Sequence, residues 1–158
     1  MGAGKTTVAK ILSKRLNYNF VDLDLDIEKE QRISISEMFE KHGEKYFRDV
    51  ETDSLRKISE RSNQIISTGG GIVIKDENWE IMRNSGVSVY LKASIETLFN
   101  RVKHKSTRPL INVENPFEKA RELFNARESL YEKSDIVLDR EGLEPGDVAE
   151  AIVRELSK

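Results

Sequence analysis

The feature that most constrains this chain lies in its first residues. Met1-Gly2-Ala3-Gly4-Lys5-Thr6-Thr7 runs without a break into Val8, Ile11, Leu12 and Leu16, which repeat at the spacing of one helix face. A Gly-Lys-Thr that opens a helix is the second half of the phosphate-loop pattern G-x-x-x-x-G-K-[ST]. Glycines at 2 and 4 let backbone N–H groups curl round phosphate oxygens with no Cβ in the way. The helix N-terminus adds a favourable dipole. Lys5 is spaced to reach the β and γ phosphates, and the Thr6 hydroxyl to ligate Mg²⁺. At average glycine usage, G-x-G-K-[ST] arises by chance in a chain of this length about once in a few hundred sequences. The plain alternative is a glycine turn that caps a helix. The pattern's first glycine and the strand that normally leads into it would both precede Met1. The expectation is therefore that Met1 is an internal methionine, with about ten residues before it, a strand of usual length and a lead-in.

Downstream, short apolar runs alternate with helical patterns. Phe20-Val21-Asp22-Leu23-Asp24 reads as a strand that ends in carboxylates, Gln64-Ile65-Ile66-Ser67 as a buried strand, and Val87-Ser88-Val89-Tyr90-Leu91 and Ile136-Val137-Leu138 as two more. Ser34-Ile35-Ser36-Glu37 is a capping box opening a short helix that Gly43 can end. Phe47, Val50, Leu55 and Ile58 mark the next helix, and a long one is expected over about 117–133. This alternation predicts an α/β fold, a parallel sheet covered on both faces, with ligands at the carboxyl ends of the strands. At 158 residues the chain fits one domain, 1–158. A net charge of -2 gives no reason to expect nucleic acid or membrane as a partner. With no cysteine there is no disulfide or thiolate chemistry, which is compatible with the cytoplasm. His42 and His104 have no metal-ligand spacing.

Several residue groups then carry chemistry. On a strand of period two, Asp22 and Asp24 point to one side and could hold Mg²⁺ through water or accept a hydroxyl proton. An exposed acidic cap is the alternative. Arg48 can pair with Glu51 on its own helix and can bind a carboxylate with both arms of its guanidinium; a surface ion pair is the alternative. Gly69-Gly70-Gly71, directly after an apolar strand, suits close approach of backbone to a ligand or a tight turn. No acidic residue ends that strand, so Asp22 becomes the natural metal-side carboxylate. Thr107-Arg108-Pro109-Leu110 lies in an irregular stretch, about 104–116, that could close as a lid. Arg121 and Arg127 sit on the expected long helix and are open to either reading.

Taken together, these segments resemble the shikimate kinase family over nearly the whole chain. The family's G-x-x-G-x-G-K-[ST] is matched by Gly2-Ala3-Gly4-Lys5-Thr6-Thr7 except for its opening, and its D-x-D by Asp22-Leu23-Asp24. Its F-R-x-x-E is matched by Phe47-Arg48-Asp49-Val50-Glu51, and its G-G-G by Gly69-Gly70-Gly71. The lid R-P-L corresponds to Arg108-Pro109-Leu110, and R-x-x-x-Y to Arg127 through Tyr131.

The resemblance implies a P-loop kinase of three α/β/α layers, its five-stranded parallel sheet in the order 2-3-1-4-5 with the first strand missing here. It implies ATP-dependent phosphorylation of the 3-hydroxyl of shikimate in aromatic amino-acid biosynthesis, by a cytoplasmic monomer. Asp24, Arg48, Gly70, Gly71 and Arg127 would bind shikimate, in a segment covering about 25–62 and the later motifs. Lys5, Asp24 and Arg108 would be catalytic. Thr6 and Asp22 would serve Mg²⁺. Gly2, Ala3, Gly4, Lys5, Thr6, Thr7 and Arg108 would hold the ATP phosphates, with Arg101 and Pro145 flanking adenine. Two other readings stay open at this point: another small-metabolite P-loop kinase of the gluconate kinase type, and a non-catalytic nucleotide-binding module.

Overall fold

The computed structural model describes residues 2–101 and 115–158. Met1 and most of the expected lid, including His104 and Arg108, lie outside the described residues.

Eight helices and four strands alternate along the described chain. The phosphate-loop residues lead into α1 (Lys5–Leu16), then β1 (Asn19–Asp22), α2 (Leu23–Gln31) and α3 (Ile35–Ser59). Next come β2 (Gln64–Ser67), a 3₁₀ turn (Ile72–Ile74), α4 (Asp76–Ser85), β3 (Val89–Lys92) and α5 (Ile95–Asn100). After the undescribed stretch follow α6 (Pro116–Asn125), α7 (Glu128–Tyr131), β4 (Ile136–Asp139) and α8 (Pro145–Leu156).

Both strand pairings are parallel. β1 pairs with β2, Asn19 opposite Gln64 and Asp22 opposite Ser67. β3 pairs with β4, Val89 opposite Ile136 and Lys92 opposite Asp139. These correspond to the 2-3 and 4-5 neighbours of the expected order. Among the described residues no strand joins the two pairs.

Strand periodicity divides the interior into two cores, because neighbouring side chains on a strand face opposite ways. Ile65 joins the core built on α1 and α8, with Val8, Leu12, Leu91, Leu98, Val148 and Ile152. Its neighbour Ile66 packs against the other core, with Leu23, Ile27, Met38, Phe47, Leu55 and Trp79 from α2, α3 and α4. Helices thus cover both faces. Fully burying one such side chain stabilises the fold by about 1.5–3 kcal/mol. No helix among the described residues is long and apolar enough to cross a membrane.

Two local expectations change. The first strand stops at Asp22, which caps α2 by accepting a hydrogen bond from the Leu25 N–H at 3.4 Å. Asp24 therefore stands in the first helical turn, where period-two geometry does not apply. Gly43, by contrast, does interrupt the helix as expected: its backbone is non-helical, φ 81° and ψ 171°, so the Ser34-capped helix stops there and a second one follows within the segment assigned to α3. The long helix expected over 117–133 is two helices, α6 and α7, with Arg127 capping the second.

Candidate active site

The expected site residues gather at the carboxyl ends of β1 and β2, beside the start of α1. Gly2 and Gly4 both adopt left-handed backbone, φ 68° and 81°. A Cβ on Gly2 would lie 2.2 Å from the Leu98 carbonyl oxygen, so the loop packs against α5 as only glycine allows. Ala3 is buried between them. Lys5, Thr6 and Thr7 form the first turn of α1, which has no acidic residue there to compete with an anion.

The Thr6 hydroxyl donates to Asp22 Oδ2 at 3.2 Å and lies 3.3 Å from the Ser67 hydroxyl. This triad of oxygen donors fits a hard cation such as Mg²⁺, which takes one or two protein oxygens and completes its shell with water and phosphate. The described residues hold no cluster of three or more His, Cys, Asp or Glu side chains that could cage a metal alone. Ser67 was not among the expected site residues. Its place at the last position of β2, opposite Asp22, is the signal that could have found it.

A second constellation lies alongside. Arg48 is not a surface ion pair: its side chain is only 8% exposed. Its Nη1 donates to Glu51 Oε2 at 2.7 Å, while Nε and Nη2 donate to Glu44 Oε1 at 3.2 and 3.0 Å. Glu51 is fully buried. Burial pushes its carboxyl above the ordinary range, aided by the neighbouring Asp24, while Arg48 and the more distant Arg127 pull it down. Asp24 approaches the same spot from α2. A Cβ on Gly69 would stand 2.8 Å from Asp24 Oδ1 and 3.2 Å from Glu51 Oε1. A Cβ on Gly71 would stand 2.2 Å from Arg48 Nη1, so this glycine makes room for the guanidinium.

Tyr131 fastens the glycine run from the other side. Its hydroxyl donates to the Gly70 carbonyl at 2.7 Å, and its ring stacks on Tyr90 with centroids 5.2 Å apart. Burial raises the Tyr131 hydroxyl above its usual value, against the opposing pull of Arg127. Asp24, Arg48, Gly70, Gly71 and Arg127 are thus brought together, with Glu51 and Tyr131 as supports. Burial pushes the Tyr90 hydroxyl up to about 12.

Arg101 and Pro145 lie on the other side of the phosphate loop. Arg101 caps α5, and its charge acts on Arg140 and Glu141 in the turn that leads to Pro145, the first residue of α8. Arg121 pairs with Glu118 on exposed α6 and takes no part in either constellation.

The comparisons with known proteins agree along the whole chain. The shikimate kinase family model matches residues 1–157. The chain is similar to the shikimate kinase of Thermodesulfovibrio yellowstonii, 46% identical over all of this chain and 91% of that protein. It is 40% identical to the shikimate kinase of Caldanaerobacter subterraneus over 98% of this chain and 90% of that one. Among solved structures, shikimate kinase from Acinetobacter baumannii in complex with shikimate superposes with a TM-score of 0.95 at 35% identity, covering 99% of this chain and 88% of that one. The shikimate kinase of Aquifex aeolicus gives a TM-score of 0.87 at 36% identity over 99% and 92% of the two chains. The chain therefore belongs to the shikimate kinase family and is an ATP-dependent kinase of shikimate.

Proposed function

We propose that this chain moves the γ-phosphoryl group of ATP to the 3-hydroxyl of shikimate with the residues gathered above. Gly2 through Thr7 cradle the ATP phosphates, and Lys5 neutralises charge on the transferring group. Arg108, which lies outside the described residues, joins it there. Asp24 orients the acceptor hydroxyl and takes its proton as the new O–P bond forms. Arg48 and Arg127 bind the substrate carboxylate, while the Gly70-Gly71 backbone fits against the ring. Arg101 and Pro145 flank adenine. Thr6 and Asp22, with Ser67, would hold Mg²⁺, which would supply neutralisation of phosphate charge. The protein acts as a cytoplasmic monomer.

One observation carries this reading. Arg48 is nearly buried and held by two carboxylates, yet it lies against Gly71, in the glycine run near the Asp24 carboxylate, and that run follows β2, whose last residue Ser67 lies 3.3 Å from the Thr6 hydroxyl. A positioned guanidinium next to a positioned base suits a small anionic alcohol. Phosphoryl transfer needs that positioning more than a covalent nucleophile.

Arg48→Lys tests the assignment while keeping a cation beside Glu51. Lysine cannot reproduce the two-armed guanidinium, so titration calorimetry should find shikimate bound about tenfold more weakly. Affinity for ATP should stay within twofold. Equal losses for both ligands would contradict the role given to Arg48.

A further inference from the structure

Arg140 belongs to none of the motifs above. We infer that it is a positioning residue for the nucleotide: it aims the phosphate loop and couples it to the turn before α8. This rests on the proposed function, in which residues 2–7 hold the ATP phosphates.

Arg140 follows the last residue of β4 and is 1% exposed, the largest fully buried side chain described. A guanidinium is almost never buried so completely unless its donors are used. Here Nη1 donates to the Ala3 carbonyl at 3.0 Å and Nη2 to the Leu143 carbonyl at 2.8 Å, while Nε is buried with no partner among the described residues. The Arg140 backbone is fixed too. Its N–H donates to the Lys92 carbonyl at 2.9 Å, and its carbonyl accepts from the Leu143 N–H at 3.1 Å. One residue, through side chain and backbone together, thus ties the phosphate loop to the ends of β3 and β4 and to the turn that leads to Pro145.

The bond to Ala3 has a directional consequence. In a trans peptide the carbonyl and the following N–H point opposite ways. Holding the Ala3 carbonyl on Arg140 therefore points the Gly4 N–H away from it, toward the open side of the loop. Gly4 leaves space for this arrangement, since a Cβ there would lie 3.0 Å from Arg140 Nη1.

The charge matters as well. Among the described residues Arg140 forms no ion pair with a carboxylate. Burial and the neighbouring Arg101 lower its proton affinity, and Glu141 and Glu144 only partly oppose them. An unpaired buried cation is costly in an empty site. Directly behind a loop that receives a triphosphate, it attracts the ligand through a poorly screened medium.

The test measures Mg-ATP and shikimate affinity by calorimetry, and both KM values, in the full chain and in Arg140→Gln and Arg140→Lys. The temperature is held well below each variant's Tm. Glutamine removes the charge and one of the two carbonyl bonds, so ATP should bind about tenfold more weakly. Lysine keeps the charge but serves one carbonyl, so the loss should be smaller. Shikimate affinity should stay within twofold in both. ATP affinity within twofold of wild type in both variants, or equal losses for ATP and shikimate, would overturn the inference. If Arg140→Gln does not fold, the ratio of losses in Arg140→Lys decides by the same criterion. A wild-type chain that binds ATP but does not phosphorylate shikimate would sink the substrate assignment, while the ATP titrations would still decide the role of Arg140.

Discussion

Gly71→Ala is a one-carbon perturbation whose effect can be worked from the structure. The added methyl would lie 2.2 Å from Arg48 Nη1 and 2.3 Å from Cζ and Nη2. The guanidinium must then retreat by roughly 1 Å or more to restore ordinary contact distance. It has little freedom to do so, because Glu51 and Glu44 hold it from the far side at 2.7 and 3.0 Å. A displacement of that size in a substrate-positioning group costs about a hundredfold in rate, or about 2.7 kcal/mol of transition-state stabilisation. Weakening the pair with buried Glu51 also destabilises the fold, by an amount below the 3–5 kcal/mol expected if the partner were removed outright. Steady-state kinetics should therefore give kcat/KM for shikimate about a hundredfold lower, with KM for ATP within threefold. Gly86→Ala is the control. Its backbone is extended, and a Cβ there meets nothing within 4 Å. If Gly71→Ala retains kcat/KM for shikimate within threefold of wild type, the close packing of Arg48 on the glycine run has no part in acceptor binding.

Three further outcomes are expected. Tyr131→Phe removes the hydrogen bond to the Gly70 carbonyl, which should cost about 1–3 kcal/mol in urea unfolding and raise KM for shikimate while sparing KM for ATP. Ile152→Ala empties part of the core between α1 and α8 and should cost about 2–5 kcal/mol by the same assay, with both ligand affinities kept at low temperature. Asp135 accepts from the Ser88 hydroxyl and N–H, and these bonds hold its carboxyl below the ordinary range. A lowered folded value means the carboxylate stabilises the fold above its unfolded range and loses that effect as pH falls through the folded value. The Tm gap between wild type and Asp135→Asn should therefore be present near neutral pH and close in strong acid.

The sequence was most legible where chemistry is local. The Ser34–Glu37 capping box forms as expected, with Glu37 N–H to Ser34 Oγ at 3.2 Å and Ser34 N–H to Glu37 Oε2 at 2.9 Å. The glycine-lysine-threonine loop opens α1, and both described strand pairings are parallel, as the alternation of elements required. Asp22 misled because an aspartate at a strand end can equally begin a helix, and its cap on Leu25 turned the chain before Asp24. The break between α6 and α7 carries neither glycine nor proline, so periodicity alone ran across it. Arg48, Glu51, Ser67 and Arg140 depend on what lies opposite them in space. Nothing in an i, i+3 Arg–Glu spacing distinguishes a solvated pair from one packed beneath Gly69 and Gly71.

Transfer of phosphate from ATP to shikimate by this chain can be read from ADP release. The full chain, supplied with Mg-ATP, should release one ADP per shikimate consumed, yield shikimate 3-phosphate, and fall to background when shikimate or Mg²⁺ is withheld. ADP release that ignores shikimate, or that proceeds equally well with gluconate, would contradict it.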